Sequence, residues 1–401
     1  MTQNSAGPLA GLRVLDISTM IAAPFAAALF GDMGAEIIKV ELPGAGDTLR
    51  HVAPMYANRS LYWSVLGRNK CSITLDLRVP RGRDLFLELV KRSDALVENF
   101  RPGTLERWNL GYGVLKAANA DIVLVRVSGY GQDGPYRDKA GFGTPAAAMG
   151  GLTYITGFPD RPPITVPIAL ADYLAGLFSA VGGLAALLER ERNHRGGQWL
   201  DVSLYESVFR LLEAVVPAYG KNGVIRERNG NRTGQSSPIG SYRTGDDRYM
   251  VLSVSTDRVW LRMTEAMGHP EWATDPRYAS NPERTRRPDE VDALVGGWFA
   301  EHTAEEAQRV LDAAGVPVSP IYSIADIFED EQYRARQDII SPVDPEVGPV
   351  PMPGVLPRFS RTPGRVRFVG PALGEHNAQV YGELLGLSNA EQSRLREDGI
   401  I

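Results

Sequence analysis

Only one cysteine, Cys71, occurs among the 401 residues. That excludes an internal disulfide framework and any site built from clustered thiolates, and it fits a reducing compartment. Histidine is also scarce: His51, His194, His269, His302 and His376 are scattered, with no pair at metal-site spacing, so no resident metal is expected. Basic charge is not in excess. Lys plus Arg number 43 against 48 for Asp plus Glu, a net charge of −5, so nucleic acid is not an expected partner. Long apolar runs are missing too. The longest, Leu174 to Leu188, is interrupted by glycines and Ser179 and closes on Glu189-Arg-Glu-Arg192. It falls short of the roughly 20 residues of a bilayer span, and no membrane partner is expected. Met1 to Pro8 lack the basic start and apolar core of a signal peptide and read as a frayed tail, so a cytoplasmic location is expected.

What is present is an alternation of strand and helix patterns. Leu12 to Ile17 is a short β-branched run, Pro24 suits the first turn of a helix over Phe25 to Met33, and Glu36 to Val40 is the next strand. Further units follow at Ser72 to Asp76, Arg81 to Arg92, Ala95 to Glu98, Val114 to Ala118 and Asp121 to Val127. Strands separated by single helices predict an α/β fold with a mostly parallel sheet covered on both faces. A long helix is expected from Asp172 to about Arg192, then a strand over Gln198 to Val202 and a helix over Leu204 to Val216. Lys221 to Gly240 reads as a linker or a long functional loop. Beyond it, a hairpin over Ser241 to Val254 and helices at Trp260 to Met267, Pro288 to Glu301 and Thr303 to Gly315 make a smaller α+β domain. A Pro-rich stretch, Pro317 to Pro371, leads to a last helix near Asn377. The expected division is 1–215 for the large domain, rejoined by about 335–401, with 216–334 as linker plus small domain.

Two nucleotide motifs are missing. The first strand-to-helix turn, Thr19-Met-Ile-Ala-Ala-Pro24, lacks the glycines that let backbone approach a pyrophosphate, and no GxxxxGK[ST] loop occurs. Gly374-Glu-His376 could face a cleft, although a structural role is the simpler reading. The segment Val166 to Gly176 is more informative, because it sets a lone carboxylate, Asp172, where an apolar approach meets an Ala/Leu/Gly-rich helix. Asp in that place is ordinarily an N-cap. A helix N-terminus also favours the ionised form, and only an ionised carboxylate can attack a carbonyl.

Several short blocks occur together in order: Leu9 to Asp16, Ala23-Pro24, Asp32 to Glu41, Gly46-Asp47, Asn69-Lys70 leading to Leu75-Asp76, Val97 to Gly103, Ser128 to Gly131, Ala148 to Gly151 and Gly196 to Gln198. In these blocks the chain resembles the class III CoA-transferases of the CaiB/BaiF type, typified by formyl-CoA transferase, from about Pro8 to the C-terminus. The resemblance implies a Rossmann-like large domain, a smaller α+β domain and a homodimer of interlocked chains. It further implies CoA transfer between carboxylic acids through mixed anhydrides and an aspartyl-CoA thioester. Coenzyme A is then substrate and product, acyl-CoA and small carboxylates are the partners, and no cofactor is tightly bound. Asp172 matches the family's nucleophile. Asn99 and Phe100 match residues lining the nucleotide site and Arg107 one that meets phosphate. Lys70, Arg101 and Trp108 lie nearby in the chain and suit the same role, and Ala22 is a candidate for the groove wall.

A first expectation for the substrates is succinyl-CoA as donor and a small dicarboxylic acid as acceptor, with Arg50, Arg137 and Arg232 as candidates to hold a second carboxylate. Asn229 to Gly240 is the candidate mobile loop that keeps water from the anhydride. In the related α-methylacyl-CoA racemases a histidine precedes the Ala-Met-Gly-Gly stretch. Phe142 stands there in this chain and cannot carry a proton, which disfavours an acyl-CoA racemase or isomerase. A non-catalytic CoA-binding protein is the other alternative.

Overall fold

Six runs of β-branched and leucine residues form one parallel sheet in the computed structural model, which describes residues 7–401. Most of the tail expected at Met1 to Pro8 therefore lies outside the described residues. The strands are β1 (Arg13–Asp16), β2 (Glu36–Glu41), β3 (Lys70–Thr74), β4 (Ala95–Glu98), β5 (Val123–Ser128) and β6 (Trp199–Ser203). Their order is β3-β2-β1-β4-β5-β6 and every pairing is parallel. β4 and β5 are buried along their whole length because helices cover both faces of the sheet. One face carries α1 (Ala22–Asp32) and a 24-residue helix, α4 (Leu170–Asn193); among the helices between them in the chain are α2 (Pro80–Val90) and α3 (Gly143–Met149). α2 packs on the other face with the C-terminal segment, where the Tyr381 hydroxyl donates to Thr74 O and the Ile400 carbonyl accepts from Asp76 N.

Helices α1 and α4 approach closely because small residues line their seam. A Cβ at Gly176 would lie 2.6 Å from the Ala22 carbonyl oxygen, and one at Gly183 would lie 2.9 Å from the Phe30 ring. Alanine at either position would push the helices apart. By length and composition α4 is apolar enough to cross a bilayer, which corrects the sequence count that stopped at Leu188. In this fold it is a sheet-covering helix, with Ala171, Ala175, Gly176, Ser179, Ala180 and Gly183 buried. Its other face leaves Leu177, Phe178, Val181 and Leu188 exposed.

The larger unit comprises the chain up to Leu152, Thr165–Asn222 and Arg334–Ile401; Thr153–Ile164 and Gly223–Tyr333 make the smaller one. Its three-stranded antiparallel sheet, β7 (Ile239–Arg243), β8 (Tyr249–Ser253) and β9 (Val318–Pro320), has the order β9-β8-β7. Trp260, Met263, Val295, Phe299 and Leu311 pack over this sheet from helices that lie between β8 and β9 in the chain. Two boundaries differ from the sequence reading. Residues 153–164 join the smaller unit because Gly230 N donates to Gly157 O, Arg228 donates to the Tyr154 and Phe158 carbonyls, and the Tyr154 hydroxyl meets Glu227 at 2.6 Å. Residues 216–222 form most of a helix, Val215–Asn222, that belongs to the larger unit.

The stretch Asn229 to Gly240, expected as a mobile loop, is tied down along its length. Arg232 pairs with Asp289 and Asp292, Asn231 donates to Ser241, and the fully buried Arg284 donates to Ser237 O. These bonds within the smaller unit oppose the free movement assigned to it.

Candidate active site

Asp172 is the third residue of α4. The helix begins earlier than the sequence rule places it, at Leu170 with Ala169 in the capping position, so Asp172 is not the N-cap. Asp172 is half-buried, and no cation pairs with its carboxylate among the described residues. Burial lifts its pKa from 3.8 to about 6, with the hydrogen bond from its own backbone N–H pulling the other way. The carboxylate lies against Gly143, the first residue of α3, where a Cβ would fall 2.1 Å from Oδ2. Only glycine leaves room for that oxygen. Phe142, in the place of the racemase histidine, immediately precedes Gly143 and is 69% exposed, so the adjoining position supplies no proton carrier. On the following residue, the Tyr173 hydroxyl sits 3.3 Å from that of Tyr62, and its ring meets Phe25 edge-on.

A chain turn on the same side of the sheet joins β1 to α1, and side chains hold nearly every polar group of its backbone. The Asn99 amide accepts from Thr19 N at 2.8 Å and donates to Thr19 O at 2.7 Å. Asp47 accepts from Met20 N and Leu49 N, and Asp16 accepts from Ser18 N. Beneath them Lys39 donates to Ser18 O and lies 3.0 Å from Asp47 and 3.6 Å from Asp16. Burial alone would raise the Asp16 pKa, but Lys39 and Lys70 outweigh it and hold it at about 2. Such a clamp is needed because Met20 has φ +66°, a left-handed conformation that costs a residue with a Cβ roughly 1 kcal/mol or more.

Beside this turn a cleft of about 270 Å³ opens at the carboxyl ends of the first four strands. It is lined by Ile17 to Thr19, Leu42, Gly46, Asp47, Leu75 to Arg78, Phe100 and Trp108, with Lys39, Val40 and Glu41 at its base. Open α/β sheets bind ligands where the strand order reverses, here between β1 and β4. The Phe100 and Trp108 rings meet edge to face at 5.0 Å.

The structure distributes the sequence-selected residues unevenly. Phe100 and Trp108 line the cleft, Arg101 and Arg107 are exposed beside it, and Asn99 uses its amide on the Thr19 backbone. Ala22 is buried at the start of α1 with its carbonyl against Gly176. Lys70 is a correction: its ammonium is fully buried, donates to Asp16 at 2.8 Å and to Pro24 O at 2.7 Å, and is not presented to a ligand. Burial lowers its pKa, against the pull of Asp16. Arg50 and Arg232 are likewise engaged, Arg50 by Glu41 at 2.7 Å and by the Trp63 ring, and Arg232 by its two aspartates. His376 stacks on Phe368 with its pKa lowered by burial, a packing role. Sequence reading counted Asp47 and Leu75-Asp76 among the family blocks but did not place them, or Leu77 and Arg78, at the site, although their places beyond β2 and β3 were the available signal.

The chain thus carries a cleft at the strand ends and, at the start of α4, a half-buried aspartate without a cation partner among the described residues, and its sequence lacks the dinucleotide and nucleoside-triphosphate motifs. The chain belongs to the CoA-transferase family III, whose family model matches residues 9–377, and it is therefore a CoA-transferase. It is 45% identical to the succinyl-CoA–D-citramalate CoA-transferase of Chloroflexus aurantiacus over 401 residues, covering all of both chains. It is 42% identical to the beta subunit of the succinyl-CoA–L-malate CoA-transferase of the same organism, covering 98% of each. Among solved structures, a CAIB/BAIF family protein from Brucella suis is 32% identical, with a TM-score of 0.83, and the match covers 94% of this chain and 99% of that one.

Proposed function

We propose that this CoA-transferase moves CoA from succinyl-CoA to a small dicarboxylic acid of the citramalate or malate type, with Asp172 as the covalent nucleophile. The observation that carries the role of Asp172 is its carboxylate: sheltered, without a cation, and ionised above about pH 6. A carboxylate partly removed from water and without a counter-ion is a stronger nucleophile than a fully solvated one. It attacks the thioester carbonyl carbon, and the C–S bond breaks to give a succinyl-aspartyl anhydride and CoA thiolate. The thiolate attacks the aspartyl carbonyl and releases succinate, leaving Asp172 as a CoA thioester. The acceptor carboxylate then attacks that thioester, and the returning thiolate takes the acceptor's acyl group and restores Asp172. Each exchange keeps an activated acyl group, so no nucleoside triphosphate is consumed.

The donor and acceptor rest on the two Chloroflexus relatives. The nucleotide of CoA fits the cleft at the strand ends, with Phe100 and Trp108 offering a ring wall and the exposed Arg107 offering charge. The protein works as a homodimer of interlocked chains in the cytoplasm. The exposed apolar face of α4 supports the dimer, since Leu177, Phe178, Val181 and Leu188 are available for a second copy to cover.

The test is chemical trapping. With succinyl-CoA, hydroxylamine or borohydride should leave a modified residue at 172, located by mass spectrometry, and Asp172→Ala should show none. Wild-type turnover in Asp172→Ala would refute the mechanism. Deuterium appearing at the α-carbon without an acceptor acid would favour a racemase instead, and sedimentation at micromolar concentration tests the dimer.

A further inference from the structure

β5 is buried along its whole length, yet it carries one charged side chain, Arg126, which is 7% exposed. A buried ion pair stabilises a fold little better than apolar side chains of its size would, because desolvation offsets the attraction; what it adds here is a fixed geometry. Arg126 Nε donates to Glu98 Oε1 at 2.7 Å, while Nη1 and Nη2 donate to Glu106 Oε1 at 2.8 Å and Oε2 at 3.3 Å. Glu98 is the fully buried last residue of β4, and its second oxygen holds the backbone, accepting from Phe100 N at 2.7 Å. Glu106 belongs to the short helix Thr104–Arg107, which leads directly into Trp108, whose N–H donates to Thr104 O. Gly111 closes on the same side chain, since a Cβ there would lie 3.2 Å from Glu106 Cγ. Arg137, which the sequence offers as a holder of the acceptor carboxylate, is exposed and 3.7 Å from Asp138, so Arg126 is the cation that ties Glu106. One arginine thus reaches, through one carboxylate each, the backbone that carries Phe100 and the helix that leads to Trp108. These are the two rings that meet at 5.0 Å in the cleft.

We propose that Arg126 is a positioning residue that sets the Phe100 and Trp108 rings as one wall for the nucleotide of CoA, acting through Glu98 and Glu106 without touching the ligand. This rests on the reading above that the cleft takes the nucleotide. A planar guanidinium can hold two carboxylates at once in fixed directions, whereas an ammonium on a flexible stem cannot reproduce both.

Calorimetric titration of the full chain with CoA and with pantetheine, which lacks the nucleotide, reads the state of the wall. Glu106→Gln leaves the buried Glu98–Arg126 pair intact and changes a side chain that is 46% exposed, so the fold is retained. It should weaken CoA about fivefold, the scale of one charge-assisted pair at a part-exposed site, and leave pantetheine unchanged. Arg126→Lys should weaken CoA about tenfold, and the double variant no further than Arg126→Lys alone, because Glu106 acts through Arg126. In turnover, Glu106→Gln should raise KM for the CoA substrate at an unchanged kcat, a split that a general loosening of the fold would not give. Glu88→Gln removes an exposed carboxylate paired with Lys91 and Arg92 on α2 and should leave both ligands unchanged. Trp108→Ala separates the two readings. If it weakens CoA and Glu106→Gln does not, the ring wall stands and the positioning role falls; if neither does, the nucleotide lies elsewhere and both fall. Equal losses for CoA and pantetheine in Glu106→Gln, or additive losses in the double variant, also overturn the positioning role.

Discussion

Replacing Asp172 by asparagine should abolish transfer and at the same time stabilise the protein, by an amount that depends on pH. In the folded chain the carboxyl group titrates near 6 and in the unfolded chain near 3.8. The folded state therefore holds the proton more tightly. Between these values the folded protein carries a proton that the unfolded chain has lost, so stability falls as pH rises through this window and stays lower above it. At 1.36 kcal/mol for each tenfold change in proton affinity, the cost of burying the group is about 1.5 kcal/mol at pH 5 and about 3 kcal/mol at pH 8. Asparagine has nearly the same shape and no charge, so it escapes both costs. Urea unfolding of wild type and Asp172→Asn at pH 5 and pH 8, followed by tryptophan fluorescence, reads the difference. The variant should lead at both pH values, and its lead should widen by about 1.5 kcal/mol between them. A lead that is constant or narrows with rising pH would mean that the carboxylate is not desolvated in the folded state, and the account of its reactivity would fall with it.

In steady-state kinetics, kcat/KM should drop about tenfold per pH unit below about pH 6, because the protonated acid cannot attack. Gly143→Ala places a methyl group 2.1 Å from the Asp172 oxygen and should slow adduct formation, measured by rapid quench, at least about 100-fold by displacing the carboxylate. Asp47→Ala removes a buried partner of Lys39 and the acceptor for the Met20 and Leu49 amides, and urea unfolding should report a loss of about 3 kcal/mol. Adding Met20→Gly to that variant should return about 1 kcal/mol, since glycine takes up the positive φ without strain. Trp108→Ala should raise KM for the CoA substrate about tenfold, with a much smaller effect on the KM of the free acid.

The parallel sheet was readable because period and punctuation agreed from Leu12 to Val127. The place of the cleft was readable only in part: Phe100 and Trp108 were found, whereas Leu75 to Arg78 carry no unusual composition and matter through their position beyond a strand. Burial of charge left no trace in the sequence. Lys39 sits in Glu36-Ile-Ile-Lys-Val40 and Lys70 opens β3, and nothing local shows that both ammonium groups meet at Asp16. That meeting depends on which strands are neighbours. Asp172 was picked out as chemically unusual, but the capping rule misplaced it, since Leu170 and Ala171 enter the helix without any side-chain cap. Gly143 was invisible for the same reason: its requirement comes from a residue 29 positions later in the chain.

At the far end of α4 the Arg190 guanidinium is moored to the Asp94 carboxylate at 2.9 Å and to the Asp121 carbonyl at 3.1 Å. With that anchorage at one end and the glycine seam beside α1 along its flank, the helix has little freedom to slide or swivel. On the proposed mechanism the Asp172 oxygen is then a stationary point in a reaction that passes through several acyl partners in turn. Travel falls to the incoming acids and to the pantetheine arm, which must each find the same spot. Tolerance for new acids is accordingly decided by where their tails can lodge around that spot, and could be changed without touching the carboxylate itself.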